Sequence, residues 1–325
     1  MGSLMAAPAS QWHLEPVAQS FVESLGLSSI APIHSLASAE ARATLLQLQS
    51  GAVGRPAARM EKATFPLRSG GVVGAYILRP MAREDSPPAI VYFHGGGWVL
   101  GDVHTHDRLI REICVGTGAA VVFVDMSRAP EARYPIALEE AYEATCYVAR
   151  HGASLNLDGS RLAVIGDGTG GNIAAAVTLM AKWRRGPQIT RQVLIYPVMD
   201  SDFANDSYTA FRHGPWLTRR TMQWFWDAYI PDAAGREELT ASPLKATVDD
   251  LWGLPEALIV TAENDVVRDE GEAYARKLSA AGTRVAATRY IGTIHDFLML
   301  NALADSPPTR CAIEQITATL RTSLE

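Results

Sequence analysis

Leu162-Ala163-Val164-Ile165-Gly166-Asp167-Gly168-Thr169-Gly170-Gly171-Asn172-Ile173 is the stretch on which the reading of this chain turns. Leu162 to Ile165 have the apolar, partly β-branched makeup of a buried strand. The glycines after them impose a tight turn, and a helix is expected to open at Asn172 and Ile173. In a strand–turn–helix of the G-x-S-x-G kind, the middle residue is lifted above the end of a sheet. That is where an attacking serine hydroxyl is needed. Gly166 and Gly170 hold the two glycine places, and the serine place is held by Gly168.

Outward from this turn, strand-like and helical patterns alternate, the signature of a mostly parallel sheet with helices on both faces. Phe65–Leu67 and Val72–Leu78 read as an opening hairpin turning at Ser69-Gly70-Gly71. Ala89–Phe93, Ala119–Val124, Leu162–Ile165, Val193–Tyr196, Ala257–Thr261 and Val285–Tyr290 are the expected sheet strands. Helices are expected near Thr105–Val115, Ile136–Arg150, Asn172–Trp183, Asp269–Ala281 and Thr309–Leu324. Two segments stand outside the alternation. Residues 1–50 are helical and amphipathic in places, and residues 201–240 are dense in aromatic side chains. Such an insertion suits a lid over an apolar pocket or a small core of its own, and the sequence leaves both open. A net charge of −6 over 325 residues, with no basic run, argues against a nucleic-acid partner. No apolar run is long enough to span a bilayer, and no leader-like segment opens the chain. The three cysteines, Cys114, Cys146 and Cys311, are far apart and odd in number. They read as reduced core thiols of a cytoplasmic protein.

Three further motifs carry chemistry. His94-Gly95-Gly96-Gly97-Trp98 directly follows a strand, and a glycine run can aim several backbone N–H groups at one point, as an oxyanion requires. Thr261-Ala262-Glu263-Asn264-Asp265 follows a later strand, and Gly292-Thr293-Ile294-His295-Asp296-Phe297 follows the next. In the order turn, acid, histidine, His295 would be a general base and Asp265 would orient it.

With these motifs together, the chain resembles the bacterial hormone-sensitive-lipase-like carboxylesterases, and the likeness runs from about residue 60 to the end. It is carried by His94–Trp98, Ala129-Pro130-Glu131 with Tyr134-Pro135, Gly170-Gly171-Asn172, Asp265 with Arg268-Asp269-Glu270-Gly271, and His295 with Phe297. The resemblance implies an α/β-hydrolase fold, with residues 51–200 and 241–325 as its core. It also implies a helical cap made by residues 1–50 and 201–240. Gly96, Gly97 and the N–H of Thr169 would then form an oxyanion hole. Trp98, Phe211, Trp216, Trp224 and Phe297 are the aromatic candidates for a substrate pocket. Acyl esters would be the substrates, with no metal or organic cofactor, and a homodimer is left open. The chain departs from the family's G-D-S-A-G-G-N pattern at Gly168 and Thr169. Met126 and Ser127 stand where a tyrosine and an arginine are common.

Several accounts of Gly168 fit. The first is an inactivated variant of an active esterase, since hole, acid and base all survive. The second is a natural non-hydrolytic, ligand-binding member. The third is an enzyme using His295 and the hole without a covalent step. A more distant reading takes Gly166, Gly168 and Gly171 as the G-x-G-x-x-G of a dinucleotide site in an oxidoreductase. The acidic residue expected about twenty positions on is absent. Asp102, His104, His106 and Asp107 could hold a metal, but the favoured reading is a loop ending in the cap of the Arg108–Val115 helix. His13, His34, His151 and His213 read as structural or solvated.

Overall fold

The computed structural model describes residues 12–28, 31–68, 70–81 and 86–325. The chain begins with two helices, α1 (Pro16–Leu27) and α2 (Ser38–Leu48). A hairpin follows, β1 (Ala58–Pro66) and β2 (Val72–Pro80), and then β3 (Pro88–Phe93), α3 (Val103–Thr117), β4 (Ala120–Asp125), α4 (Ile136–His151), β5 (Asp158–Asp167) and α5 (Thr169–Trp183). After β6 (Arg191–Ile195) come α6 (Asp206–Ala210), α7 (Arg219–Tyr229) and α8 (Val248–Leu251). The chain closes with β7 (Glu256–Asn264), α9 (Arg268–Ala280), β8 (Val285–Ile294) and α10 (Pro307–Leu324).

The eight strands form one sheet in the order β1-β2-β4-β3-β5-β6-β7-β8. It is parallel from β4 through β8, and the β1–β2 hairpin joins antiparallel at β4. Every residue of β3 is buried, which is why its sequence is continuously apolar rather than alternating. α5 is buried along almost its whole length, so it carries Ala and Gly where a surface helix would carry charge.

The edge hairpin is the part the sequence understated. β1 runs from Ala58, well before the expected Phe65. As an edge strand it is half exposed and carries Arg59, Glu61 and Lys62, which hide it from an apolar pattern. Its expected turn includes Ser69, which lies outside the described residues. Cys114 and Cys146 are buried as expected, but Cys311 is exposed on α10, so it is not a core thiol. The Asp102 cluster serves a helix start. Asp102 accepts from the N–H groups of His104 and Thr105, both at 2.9 Å, and its own N–H donates to Thr105 Oγ1 at 2.9 Å. No described helix is long and apolar enough to cross a membrane.

This topology decides where chemistry can occur. His94, Gly168, Asp265 and His295 are each the first residue after the carboxyl end of a strand, β3, β5, β7 and β8 respectively. Open α/β sheets present their ligand crevice at that edge.

Candidate active site

The turn between β5 and α5 keeps the sharp, strained backbone of a nucleophile turn. Gly168 has φ 53° and ψ −117°, a region in which a residue with a Cβ is strained. Its N–H donates to the Ile195 carbonyl at 2.9 Å, and its carbonyl accepts from Val198 N at 3.1 Å. The turn is therefore held against β6 rather than by its own side chains. A Cβ at position 168 would lie 3.3 Å from His295 Nε2 and 3.7 Å from Cε1, with no other atom within 4 Å beyond Gly168 and its chain neighbours Asp167 and Thr169. Gly170 has a different reason to be glycine. A Cβ there would meet the Phe93 carbonyl oxygen at 2.0 Å, because the first turn of α5 lies directly on the end of β3.

Asp167 points away from this opening into the core. It accepts from the Tyr92 hydroxyl at 2.6 Å and from Gly95 N at 3.1 Å, and it meets His106 Nε2 at 3.2 Å. Burial works against its charge, but His106 and the Tyr92 hydroxyl override that and hold the carboxyl below its ordinary range. A buried carboxylate thus joins β3, β5, α3 and the start of the glycine loop.

On the other side of the opening, His295 Nδ1 lies 2.7 Å from Asp265 Oδ2. Because a carboxylate only accepts, Nδ1 carries the proton and neutral His295 presents a lone pair at Nε2. Asp265 is fixed in turn, accepting from Val267 N at 3.1 Å. Asp296 Oδ1 lies 3.5 Å from the same Nε2, and its Oδ2 accepts from Trp216 Nε1 at 2.9 Å. Burial disfavours the imidazolium, yet the Asp265 and Asp296 carboxylates outweigh it and lift His295 from 6.5 to about 9.

The glycine loop closes the third side. Gly96 and Gly97 both have positive φ, 104° and 66°, and a Cβ on Gly97 would strike the Phe225 ring at 2.0 Å. Among the described residues no carbonyl accepts from the N–H of Gly96, Gly97 or Thr169. All three residues line a cavity of about 220 Å³ that also contains His295 and Asp296. The Thr169 hydroxyl does not face this space: it accepts from Trp98 N at 3.2 Å, tying the glycine loop to the turn.

The remaining cavity wall comes from the two segments outside the strand–helix alternation. Leu25, Leu45 and Leu48 belong to the first, and Trp216, Met222 and Phe225 to the second. Of the five aromatic candidates only Trp216 lines the cavity. Trp98 is turned inward at φ 58° and stacks on Tyr229 at 4.4 Å. Phe211 lies under the Arg268 guanidinium. Phe297 is buried beside Tyr196 and Tyr290, below His295. Trp224 is one residue out of phase on α7: Thr221, Met222 and Phe225 share the face towards the cavity, and Trp224 packs beside Phe225.

A family model described as the alpha/beta hydrolase fold matches residues 90–299. The carboxylesterase NlhH of Mycobacterium tuberculosis is 37% identical over 262 residues, 79% of this chain and 81% of that protein. The ethyl acetate hydrolase of Pseudomonas putida is 31% identical over 284 residues, 85% and 88% of the two chains. The crystal structure of a thermostable esterase from Pseudomonas putida superposes with a TM-score of 0.93 at 43% identity, covering 100% of this chain and 99% of that one.

The chain is an α/β-hydrolase of the hormone-sensitive-lipase-like carboxylesterase family.

In this α/β-hydrolase, sequence reasoning overlooked several cavity residues on the inserted segment, Thr221, Met222 and Phe225 among them, and also Asp296. It placed His34 among structural or solvated histidines. His34 instead lines the cavity, its Nδ1 3.2 Å from Thr221 Oγ1. Contacts separated by 187 positions leave no spacing signal. Asp296 did carry one, since it directly follows the histidine of the motif.

Proposed function

We propose that this chain is a carboxylic-ester hydrolase scaffold whose nucleophile is missing, an inactivated form of an active esterase. The observation that carries the reading is the place of a Cβ at Gly168, which meets His295 Nε2 at 3.3 Å and, chain neighbours aside, only the His295 ring within 4 Å. With serine at that place, His295 would take the hydroxyl proton and Asp265 would stabilise the imidazolium. The N–H groups of Gly96, Gly97 and Thr169 would hold the oxyanion of the tetrahedral intermediate. Residues 1–50 and 201–240 act as the cap, and their apolar wall favours small or medium acyl esters, some with an aromatic group. The name of the Pseudomonas putida relative, an ethyl acetate hydrolase, supports the small end of that range. Without a hydroxyl at position 168 no acyl-enzyme forms, and the chain is inactive or very slow. The buried, free Cys114 and Cys146 support a reducing, cytoplasmic setting.

The test is hydrolysis of short p-nitrophenyl esters by this chain and by Gly168→Ser, both checked for folding by circular dichroism. The serine variant should gain several orders of magnitude, up to about a million-fold, the cost of losing a triad nucleophile elsewhere. A folded serine variant as inert as its parent would overturn the reading. Stoichiometric binding of intact esters by both proteins would then point to a ligand-binding role.

A further inference from the structure

The cavity has a polar group at the strand ends, Gly96, Gly97, Thr169, His295 and Asp296, and another on the inserted segments. The second consists of His34, in the short helical turn Ile33–Ser35, with Thr218 and Thr221 at the start of α7. It is set in a wall that carries Leu25, Leu45, Leu48, Leu217, Met222 and Phe225. Polar side chains in such a wall need partners, and these three find some in one another.

Thr218 Oγ1 accepts from Thr221 N at 3.1 Å and lies 2.8 Å from Thr221 Oγ1. Thr221 Oγ1 in turn lies 3.2 Å from His34 Nδ1. Burial and the nearby Arg220 charge disfavour the imidazolium, so His34 is a neutral ring. With Nδ1 unprotonated, Thr218 donates to Thr221, Thr221 donates to Nδ1, and Nε2 carries a hydrogen. With Nδ1 protonated, it donates to Thr221, and Nε2 carries a lone pair. In either tautomer Nε2 has no partner among the described residues. A ring nitrogen that can present a donor or an acceptor matches a hydroxyl, which is both.

We propose that this cavity selects esters carrying a hydroxyl group away from the reacting carbonyl, with His34 Nε2 as the atom that recognises it. The inference rests on the reading of the cavity as the place where an ester binds. His34 determines specificity and takes no part in the acyl chemistry. Its Nδ1 stays bonded to Thr221, which Thr218 holds in place at the cap of α7. A neutral hydrogen bond exchanged for one to water is worth about two- to ten-fold in affinity. The cavity should therefore prefer the hydroxyl without requiring it.

The experiment pairs ω-hydroxyalkyl acetates with n-alkyl acetates of the same number of heavy atoms, and ethyl ω-hydroxyalkanoates with the matching ethyl alkanoates. Calorimetry reads the Kd of the intact esters on this chain, and kcat/KM is read on Gly168→Ser. The hydroxylated member should be preferred by about two- to ten-fold at one or more chain lengths. His34→Leu, in either background, should abolish the preference. His34→Gln, which keeps a donor and an acceptor close by, should restore part of it. A merely structural tie between the segments would weaken both members of a pair alike. An unchanged preference in folded His34→Leu would therefore overturn the inference, and so would the lack of any preference at every length. An inert but folded Gly168→Ser would remove the hydrolase reading alone, and calorimetry on this chain would then decide the hydroxyl preference.

Discussion

Gly168 keeps the backbone of a nucleophile turn although it carries no side chain, and the reason lies in its neighbours. Its N–H and carbonyl are bonded to Ile195 and Val198, so β6 holds the turn whatever stands at position 168. The absent hydroxyl was legible in the letters, because Gly166 and Gly170 frame the place unmistakably. The surroundings of His295 were only half legible. Asp265 could be chosen by its order in the chain, whereas the nearness of Asp296 to Nε2 depends on a left-handed residue, φ 63°, and on a Trp216 hydrogen bond across 80 positions. Two carboxylates raise His295 to about 9, and a general base must be neutral to act. For Gly168→Ser, kcat/KM should therefore rise with pH and level off only on the alkaline side of the usual histidine value of 6.5. Adding Asp296→Asn removes one attraction for the imidazolium but can keep the Trp216 bond, so the inflection should move to lower pH. An unchanged inflection in a pH–rate profile would show that Asp296 does not tune His295.

Among the elements, β3, β5 and α3 are joined at one buried carboxylate. Asp167 serves Tyr92, Gly95 and His106 together, and the glycine loop begins from that anchorage. Removing one partner of a buried ion pair leaves the other charge uncompensated, which typically costs about 3–5 kcal/mol. Asp167→Ala should lower stability by about that much in urea unfolding, and in the Gly168→Ser background it should also reduce kcat. A loss below about 1 kcal/mol would mean that the loop is held elsewhere. The strands and helices of the core were readable because parallel strands buried on both faces are continuously apolar. β1 was underestimated because an edge strand meets water on one side and carries charge there. The inward face of α7 was not readable, since Trp224 and Phe225 are equally apolar and only packing selects between them.

At the scale of the whole molecule, the N-terminal helices are fastened to the sheet's crevice through Arg42 on α2. Its guanidinium donates to the carbonyls of Val99 and Ala129 and takes the Glu131 carboxylate in a two-pronged grip at 2.9 and 2.7 Å. Hydrogen bonds from Arg42 hold the Glu131 carboxyl down at about 2. Arg42→Ala should leave the core intact while α2 opens more readily. Amide exchange over Ser38–Leu48 should quicken, that of α5 should not, and global stability should fall by about 1–3 kcal/mol. Equal exchange in both proteins would mean that apolar contacts alone hold α2 down. The sequence by itself determined the order of strands and helices, the α/β-hydrolase class and the glycine at the serine place, because these rest on local pattern and on motifs contiguous in the chain. Only the tertiary structure decided which aromatic rings reach the cavity, that Asp296 meets His295, and that Asp167 ties three elements together. Asp296 follows His295 in the chain and meets it only through its left-handed backbone and the Trp216 bond; the other contacts join residues tens to hundreds of positions apart, and their geometry comes from how the sheet brings the strand ends together.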